Sequence, residues 1–499
     1  MDYISILDLK PVITKDMAFG DNYVDLNLDQ IIEAISKIWG SSVKDFYRYF
    51  PPTKEAVIFR QDVIRDIEEN ALYDTLFNAL SSFSECKNIS REKEKSRQNV
   101  RREVMHAEET ALFCDAICAL YDGLKDKSLN SEGLCNIFNA LSELVASDNF
   151  LFIKEQSQSF RKEFSKLRIV VSYEGKKLVV GDSVSFSDYS SDLSSLAPEN
   201  AAKYGTLFGD SLELIGLEKE IMLALIKKNP EVFKKASLLY AQNRNYCPDW
   251  VSLFFDELPF YLSFLKFMKT MTDNGAGFCF PSFDKKDSFK ASGLYDLALF
   301  NASLSRNTPV IANDFSYDND ECFFVLTGPN QGGKTTFARS LGQLVFFAKM
   351  GLKVPAASAN VFFFSKIVTH FSVEESVETG RGKLMEELVR LAPMMKDADG
   401  GSFVIINELF TTAANYDACI MGKRVLSHFI GQGSFGIYVT HLSELLDSEP
   451  KAAGLCAQLD ENGRQTFKIK KAIMEYTNCA SNQVDKYGLS YEKLKERLS

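Results

Sequence analysis

The stretch CFFVLTGPNQGGKTT (322–336) constrains this chain more than any other: an apolar run, a Gly-rich turn, then FARSLGQLVFFAKMG, a good helix former. It satisfies G-x-x-x-x-G-K-[ST] through Gly328, Gly333, Lys334 and Thr335, in the strand–loop–helix context that the motif requires. Glycines let backbone N–H groups wrap phosphates, and the N-terminus of the following helix adds positive potential. On this reading Gly328, Pro329, Asn330, Gly332, Gly333, Lys334, Thr335 and Thr336 bind a nucleotide. Lys334 pairs with the β and γ phosphates, and Thr335 holds Mg²⁺.

Two further strand ends accompany it. FVIINEL (403–409) is four apolar residues followed by Asn407 and Glu408, and SFGIYVTHLSEL ends its apolar run at Thr440-His441. In an ATPase site of the ABC type, the second strand carries a metal-organising residue and then a Glu that activates water. The third strand ends in a His that reaches the γ-phosphate. Asn407, Glu408 and His441 fit those places, giving Lys334, Glu408 and His441 as catalytic candidates and Thr335, Asn407 and Glu408 as metal candidates.

Composition sets the limits. A chain of 499 residues, 45% hydrophobic, is long enough for two to four domains with packed cores. The net charge of -10 argues against coating nucleic acid by bulk charge but leaves a local basic face open. Ten Cys without CxxC pairs, and only four His, disfavour a Cys/His metal site and suggest a reducing compartment. Neither a signal peptide nor an apolar run of membrane-spanning length is visible, so a cytoplasmic protein without membrane attachment is expected.

Residues 59–83 place Val63, Ile67, Leu72, Leu76 and Leu80 at helical spacing, and 91–109 form a mixed-charge helix, either a solvated face or a lever contacting phosphates. LRIVVSYEGKKLVVG (167–181) is a hairpin signal, with Lys176 and Lys177 as candidate contacts, and the Ser-rich 182–196 reads as a surface loop. Helical patterns return over 211–272. The expected architecture is a mainly α-helical core and lever arm (1–284) with a small β tip near 165–205. A P-loop ABC-type α/β domain (285–460) and a C-terminal helical dimerisation segment (461–499) follow.

These residues resemble one family, the MutS mismatch-repair ATPases. TGPNQGGKTT is similar to the family's TGPN-x-GGKST, NELFTTAANYDA (407–418) to DELGRGTST-x-DG, and THLSEL (440–445) to THxxEL. PVIANDF (309–315) resembles the segment flanking adenine, which would put Val310 and Ile311 near the base. ETGRGKLMEEL (378–388) stands where the family has G-x-STF-x-x-EM, so Gly380, Gly382 and Lys383 would be the signature that completes a partner's site. Upstream, only 49–67 resembles the family's core, and 480–498 is similar to its closing helices.

The resemblance implies ATP and Mg²⁺ as ligands, a homodimer, and binding to double-stranded or branched DNA. Three departures stand out. Asn407 replaces an Asp, which lowers metal affinity and slows hydrolysis. Gly382-Lys383 replaces Ser-Thr, removing a hydroxyl and adding a cation. The chain starts directly in what resembles the core, with no visible N-terminal mismatch-reading domain. Phe83-Ser84-Glu85 spells that domain's Phe-x-Glu, as triplets do by accident in a chain with 40 Phe. The competing reading is a nucleotide-gated protein-interaction module with little turnover and no DNA recognition.

Overall fold

The computed structural model describes residues 4–10, 20, 22–167, 170–174, 177–181, 216–283, 288–306, 308–317, 321–372, 382–472 and 495. The chain mixes helices and sheets and divides into two compact units. One comprises Met1–Ile6 and Arg65–Leu258, the other Leu7–Ile64 and Pro259–Ser499. The unit that carries the Gly-rich turn thus also takes in residues 7–64.

In chain order, two single-turn helices aside, the elements begin with α1 (Leu28–Ser36), α2 (Lys54–Glu69), α3 (Tyr73–Lys95), α4 (Asn99–Leu124), α5 (Glu132–Ala146) and α6 (Asp148–Phe164). A hairpin of β1 (Val170–Glu174) and β2 (Lys177–Gly181) follows, then α7 (Gly216–Lys228), α8 (Pro230–Gln242) and α9 (Asp249–Asp273). The first unit is built from α3 to α8. Its core joins Val104 and Ala107 of α4, Phe160 of α6, Met222 and Leu225 of α7, and Phe233, Ala236 and Leu239 of α8.

The helical periodicity over 59–83 is real, since Val63, Ile67, Leu72, Leu76 and Leu80 are all buried. It is nevertheless two helices, broken where Ala71 turns left-handed at φ 53°. The 91–109 stretch also breaks. Ser96 and Gln98 are extended, and the turn folds α3 back on α4. Lys93 then reaches Glu109 (2.5 Å) and His106 Nδ1 (3.4 Å), while Tyr246 donates to Glu109 (2.7 Å). Lys93 is half-buried and Arg101 buried, so neither belongs to a solvated charged face. Phe83 is buried and stacked on Phe255, with centroids 4.2 Å apart, so its triplet is core packing. The hairpin pairs as expected, Glu174 opposite Lys177. The Ser-rich loop and Lys176 lie outside the described residues.

The second unit adds β3 (Lys290–Leu294), α10 (Leu297–Ser303), β4 (Asn313–Ser316), β5 (Phe323–Thr327), α11 (Lys334–Met350), β6 (Ser358–Asn360) and β7 (Lys366–Phe371). It continues with α12 (Lys383–Asp397), β8 (Ser402–Asn407), α13 (Asn415–Gly431), β9 (Phe435–Val439), β10 (Ala452–Leu459) and β11 (Gln465–Lys471). A six-stranded sheet runs β11-β10-β5-β9-β8-β7, parallel throughout except for β11 at one edge. A smaller antiparallel sheet orders β4-β3-β6. Every residue of β5, β8 and β9 is buried, as strands covered on both faces must be. Helix α11 sits so close to the sheet that a Cβ on Gly342 would lie 2.7 Å from Ile405 and 2.5 Å from Leu26.

At the opposite edge from β11, the segment 22–26 lies along β7. Asn22 donates to the Ile367 carbonyl (3.3 Å), and Asp25 accepts from the Thr369 hydroxyl (2.7 Å). Residues 465–471 of the expected C-terminal helical segment are strand instead: Gln465, Ile469, Lys470 and Lys471 pair with β10, with an irregularity between Gln465 and Ile469. The rest of that segment, residue 495 excepted, lies outside the described residues. Among the described residues no helix is long and apolar enough to cross a membrane.

Candidate nucleotide site

In parallel sheets, ligands collect beyond the carboxyl ends of the strands. Here β5 ends at the Gly-rich turn, β8 at Asn407 and β9 at Val439, three adjacent strands delivering three polar groups to one edge. The turn needs its glycines. Gly328 has φ 129° and Gly333 φ 87°, and a Cβ on Gly328 would meet the Ala457 backbone nitrogen at 2.9 Å.

Within the turn Lys334 is buried and donates to the carbonyls of Gly328 (2.9 Å) and Pro329 (3.0 Å). Burial pushes its ammonium below the ordinary lysine range, against the opposing pull of Glu408 and Cys456. The Thr335 hydroxyl donates to Asn407 Oδ1 at 2.9 Å, so helix start and strand end are joined at the expected metal position. Glu408 adopts φ 52°, anchors its N–H to the Val439 carbonyl (2.9 Å), and sets its carboxylate 3.6 Å from His441 Nε2. The imidazole, and after it Lys334 and Lys383, holds the Glu408 carboxyl below the usual carboxylate range against the cost of its burial. Glu408 is thus kept ionised, as a proton acceptor must be.

These groups border a pocket of about 330 Å³ lined by Val310, Ile311, Asn330, Gly332, Gly333, Lys334, Thr335, Thr336 and Glu408. Gly328 and Pro329 shape it through the Lys334 contacts, and Asn407 and His441 through Thr335 and Glu408. Gly382 and Lys383 line a separate shallow depression with Leu384, Met385, Leu388 and Thr412. Gly380 lies outside the described residues.

Among the lining groups that the sequence did not announce, two stand out. Phe467 of β11, left-handed at φ 57°, packs beside Gly333 and forms a wall of the pocket. It is held there by Asn313, whose amide donates to the Phe467 carbonyl (3.1 Å) and accepts from Ile469 N–H (2.8 Å). Asp296 caps α10 and accepts from Gln343 of α11 (2.8 Å); burial pushes its carboxyl upward. The alternation in QTFKIKK was the available signal for Phe467, whereas Asp296 had none.

The oxygen set of Thr335, Asn407 and Glu408 suits Mg²⁺, which takes one or two carboxylates plus phosphate and keeps its waters. Among the described residues no group of three or more His, Cys, Asp and Glu could hold a metal, so phosphate oxygens would have to complete the shell.

Sequence comparisons cover the stretch that carries this site. Residues 324–495 match the family model for MutS domain V. This part of the chain is similar to MutS domain V. Over about a third of its length, the chain is 29% identical to the DNA mismatch repair protein MutS of Syntrophomonas wolfei and 28% identical to that of Lachnoclostridium phytofermentans. It is 30% identical over 38% of its length to that of Chlamydia abortus. Those matches span 20%, 19% and 23% of the respective MutS proteins, so the chain covers about a fifth of the curated relatives it matches. The MutS-type region contains every residue of the Gly-rich turn, both polar strand ends and Phe467. Val310 and Ile311 precede it.

Proposed function

We propose that this chain is a MutS-like, ATP-dependent DNA-binding protein acting in the cytoplasm. In this reading a dimeric clamp uses ATP binding and slow hydrolysis to gate its hold on mismatched, damaged or branched DNA. The observation that carries the reading is the convergence of Lys334, the Thr335–Asn407 pair and the Glu408–His441 pair at the ends of three adjacent parallel strands. The relatives named DNA mismatch repair proteins supply the DNA part.

Phosphates would sit on the backbone N–H groups of 328–335, with Lys334 turning from its two carbonyl partners to the β and γ oxygens. Val310, Ile311 and Phe467 would enclose the base. Glu408 would take the proton of the attacking water, and His441 would orient that carboxylate and face the γ-phosphate. Bound Mg²⁺, held by Thr335, Asn407 and Glu408, would neutralise charge on the phosphates. Asn407 keeps the oxygen but not the charge of an Asp, which weakens the metal and slows turnover. The ABC-type domain (285–460), the clamp tip near 165–205, the closing dimerisation segment, and a trans role for Gly380, Gly382 and Lys383 belong to the same proposal.

One observation favours the second reading, a nucleotide-gated interaction module: the group that the Thr335 hydroxyl meets at the strand end is the neutral amide of Asn407 and not a carboxylate. The deciding experiment is Mg²⁺-dependent ATP hydrolysis with and without duplex, mismatched and branched DNA, using Glu408→Gln as the control. Turnover that responds to DNA and disappears in Glu408→Gln supports the clamp. ATP binding without turnover, and no response to any DNA, replaces it with the module.

A further inference from the structure

The loop after β8 does something costly. Glu408 (φ 52°) and Phe410 (φ 65°) both adopt left-handed backbone, two residues apart, and neither is a glycine. A single residue of this kind is disfavoured by Cβ sterics, and a pair persists only where its surroundings fix it. Leu409 and Phe410 are buried among Leu391, Met394, Val404, Ile406 and Tyr438, which fills the space but does not select the backbone angles.

A directional contact does select them. Glu387, one turn into α12 and 4% exposed, accepts the Phe410 N–H through Oε2 at 3.0 Å. Its other oxygen, Oε1, is buried and has no hydrogen-bond partner among the described residues. A carboxylate half-satisfied in an apolar cluster is a poor way to stabilise a fold, since an apolar side chain of the same volume would pack there without the desolvation cost. Such a group is understandable if its acceptor geometry is what matters. We infer that Glu387 is a positioning residue for Glu408, clamping the 408–410 turn and thereby aiming the Glu408 carboxylate at the phosphate pocket. Because Glu387 shares α12 with Lys383, and Gly382 is the residue just before that helix, the clamp ties the start of α12 to the water-activating carboxylate of the same chain. This inference rests on the ATPase reading above.

The test compares three forms of the full chain: unchanged, Glu387→Met and Glu387→Gln. Met matches the volume without an acceptor, and Gln keeps an acceptor without the charge. In Glu387→Met, kcat for ATP should fall tenfold or more, ATP affinity should stay within about threefold, and the melting temperature should not drop. Glu387→Gln should recover turnover most of the way. Equal kcat in the Met and unchanged forms, or equal losses in Met and Gln, overturns the assignment, as does loss of ATP binding in parallel with kcat. If the unchanged chain shows no turnover, the ATPase reading fails by itself. Amide exchange over 406–414 then still reads the clamp: exchange at least tenfold faster in Met than in Gln supports it, and equal rates overturn it.

Discussion

Each unit sets a lysine close to a glutamate, and the two pairs are built differently. In the helical unit Lys93 is enclosed with Glu109, His106 and Tyr246 in a network of α3, α4 and the segment after α8. Burial holds the His106 imidazole neutral, down to about 4, with Lys93 adding to the effect. In the sheet-bearing unit Lys334 is buried more deeply than Lys93, yet it leans on two carbonyls while Glu408, paired with His441, faces the same pocket. A buried charge that closes on its partner specifies how helices meet. One that is held by replaceable neutral acceptors beside a pocket is available to a ligand.

Four predictions press on this contrast, the largest first. Lys93→Ala should leave Glu109 charged and unpaired and cost about 3–5 kcal/mol of stability, read by urea denaturation, without changing nucleotide affinity in the folded fraction. Lys334→Ala should do the reverse, lowering ATP turnover by about 100-fold or more while stability is held or improved; a matched loss of stability would break the comparison. Another buried lysine, Lys349, sits between the rings of Phe50 (5.2 Å) and Phe363 (4.8 Å), and burial lowers it to about 8. Because its folded value lies below the unfolded one, the penalty is full below pH 8 and fades as pH rises toward about 10.5. Lys349→Met should therefore stabilise the chain at pH 7 by about 1–3 kcal/mol, with the gain vanishing in melts above pH 10. The smallest effect is Asn407→Asp, which should lower the Mg²⁺ concentration for half-maximal turnover by about tenfold. No change in a magnesium titration would separate Asn407 from the metal.

The chemistry of the site was legible because it is local. A strand, a Gly-rich turn and a helix start are fifteen consecutive residues, and Asn407, Glu408 and His441 announce themselves by interrupting apolar runs. The helix breaks were not legible, because neither Ala71 nor Ser96 is a Gly or Pro and the contacts beside them join separate segments, Asn70 with Ser128 and Lys93 with Glu109. Phe467 and Asp296 were missed for a related reason. Their place in the pocket is set by Asn313 and Gln343, distant residues whose polarity looks ordinary in sequence. The strand 465–471 was hidden behind an expectation of helix, although its alternation was there to be used.

The segment 22–26 along β7 has a consequence for handling the protein. A sheet ends in a row of backbone groups that any passing extended peptide can satisfy, and long uncovered margins invite self-association. Asn22 occupies one of those carbonyls, and Asp25 engages Thr369 and, at 3.6 Å, Arg390 of α12. Those few residues, remote in sequence from the strand they cover, act as a selvedge that keeps the sheet from fraying into its neighbours.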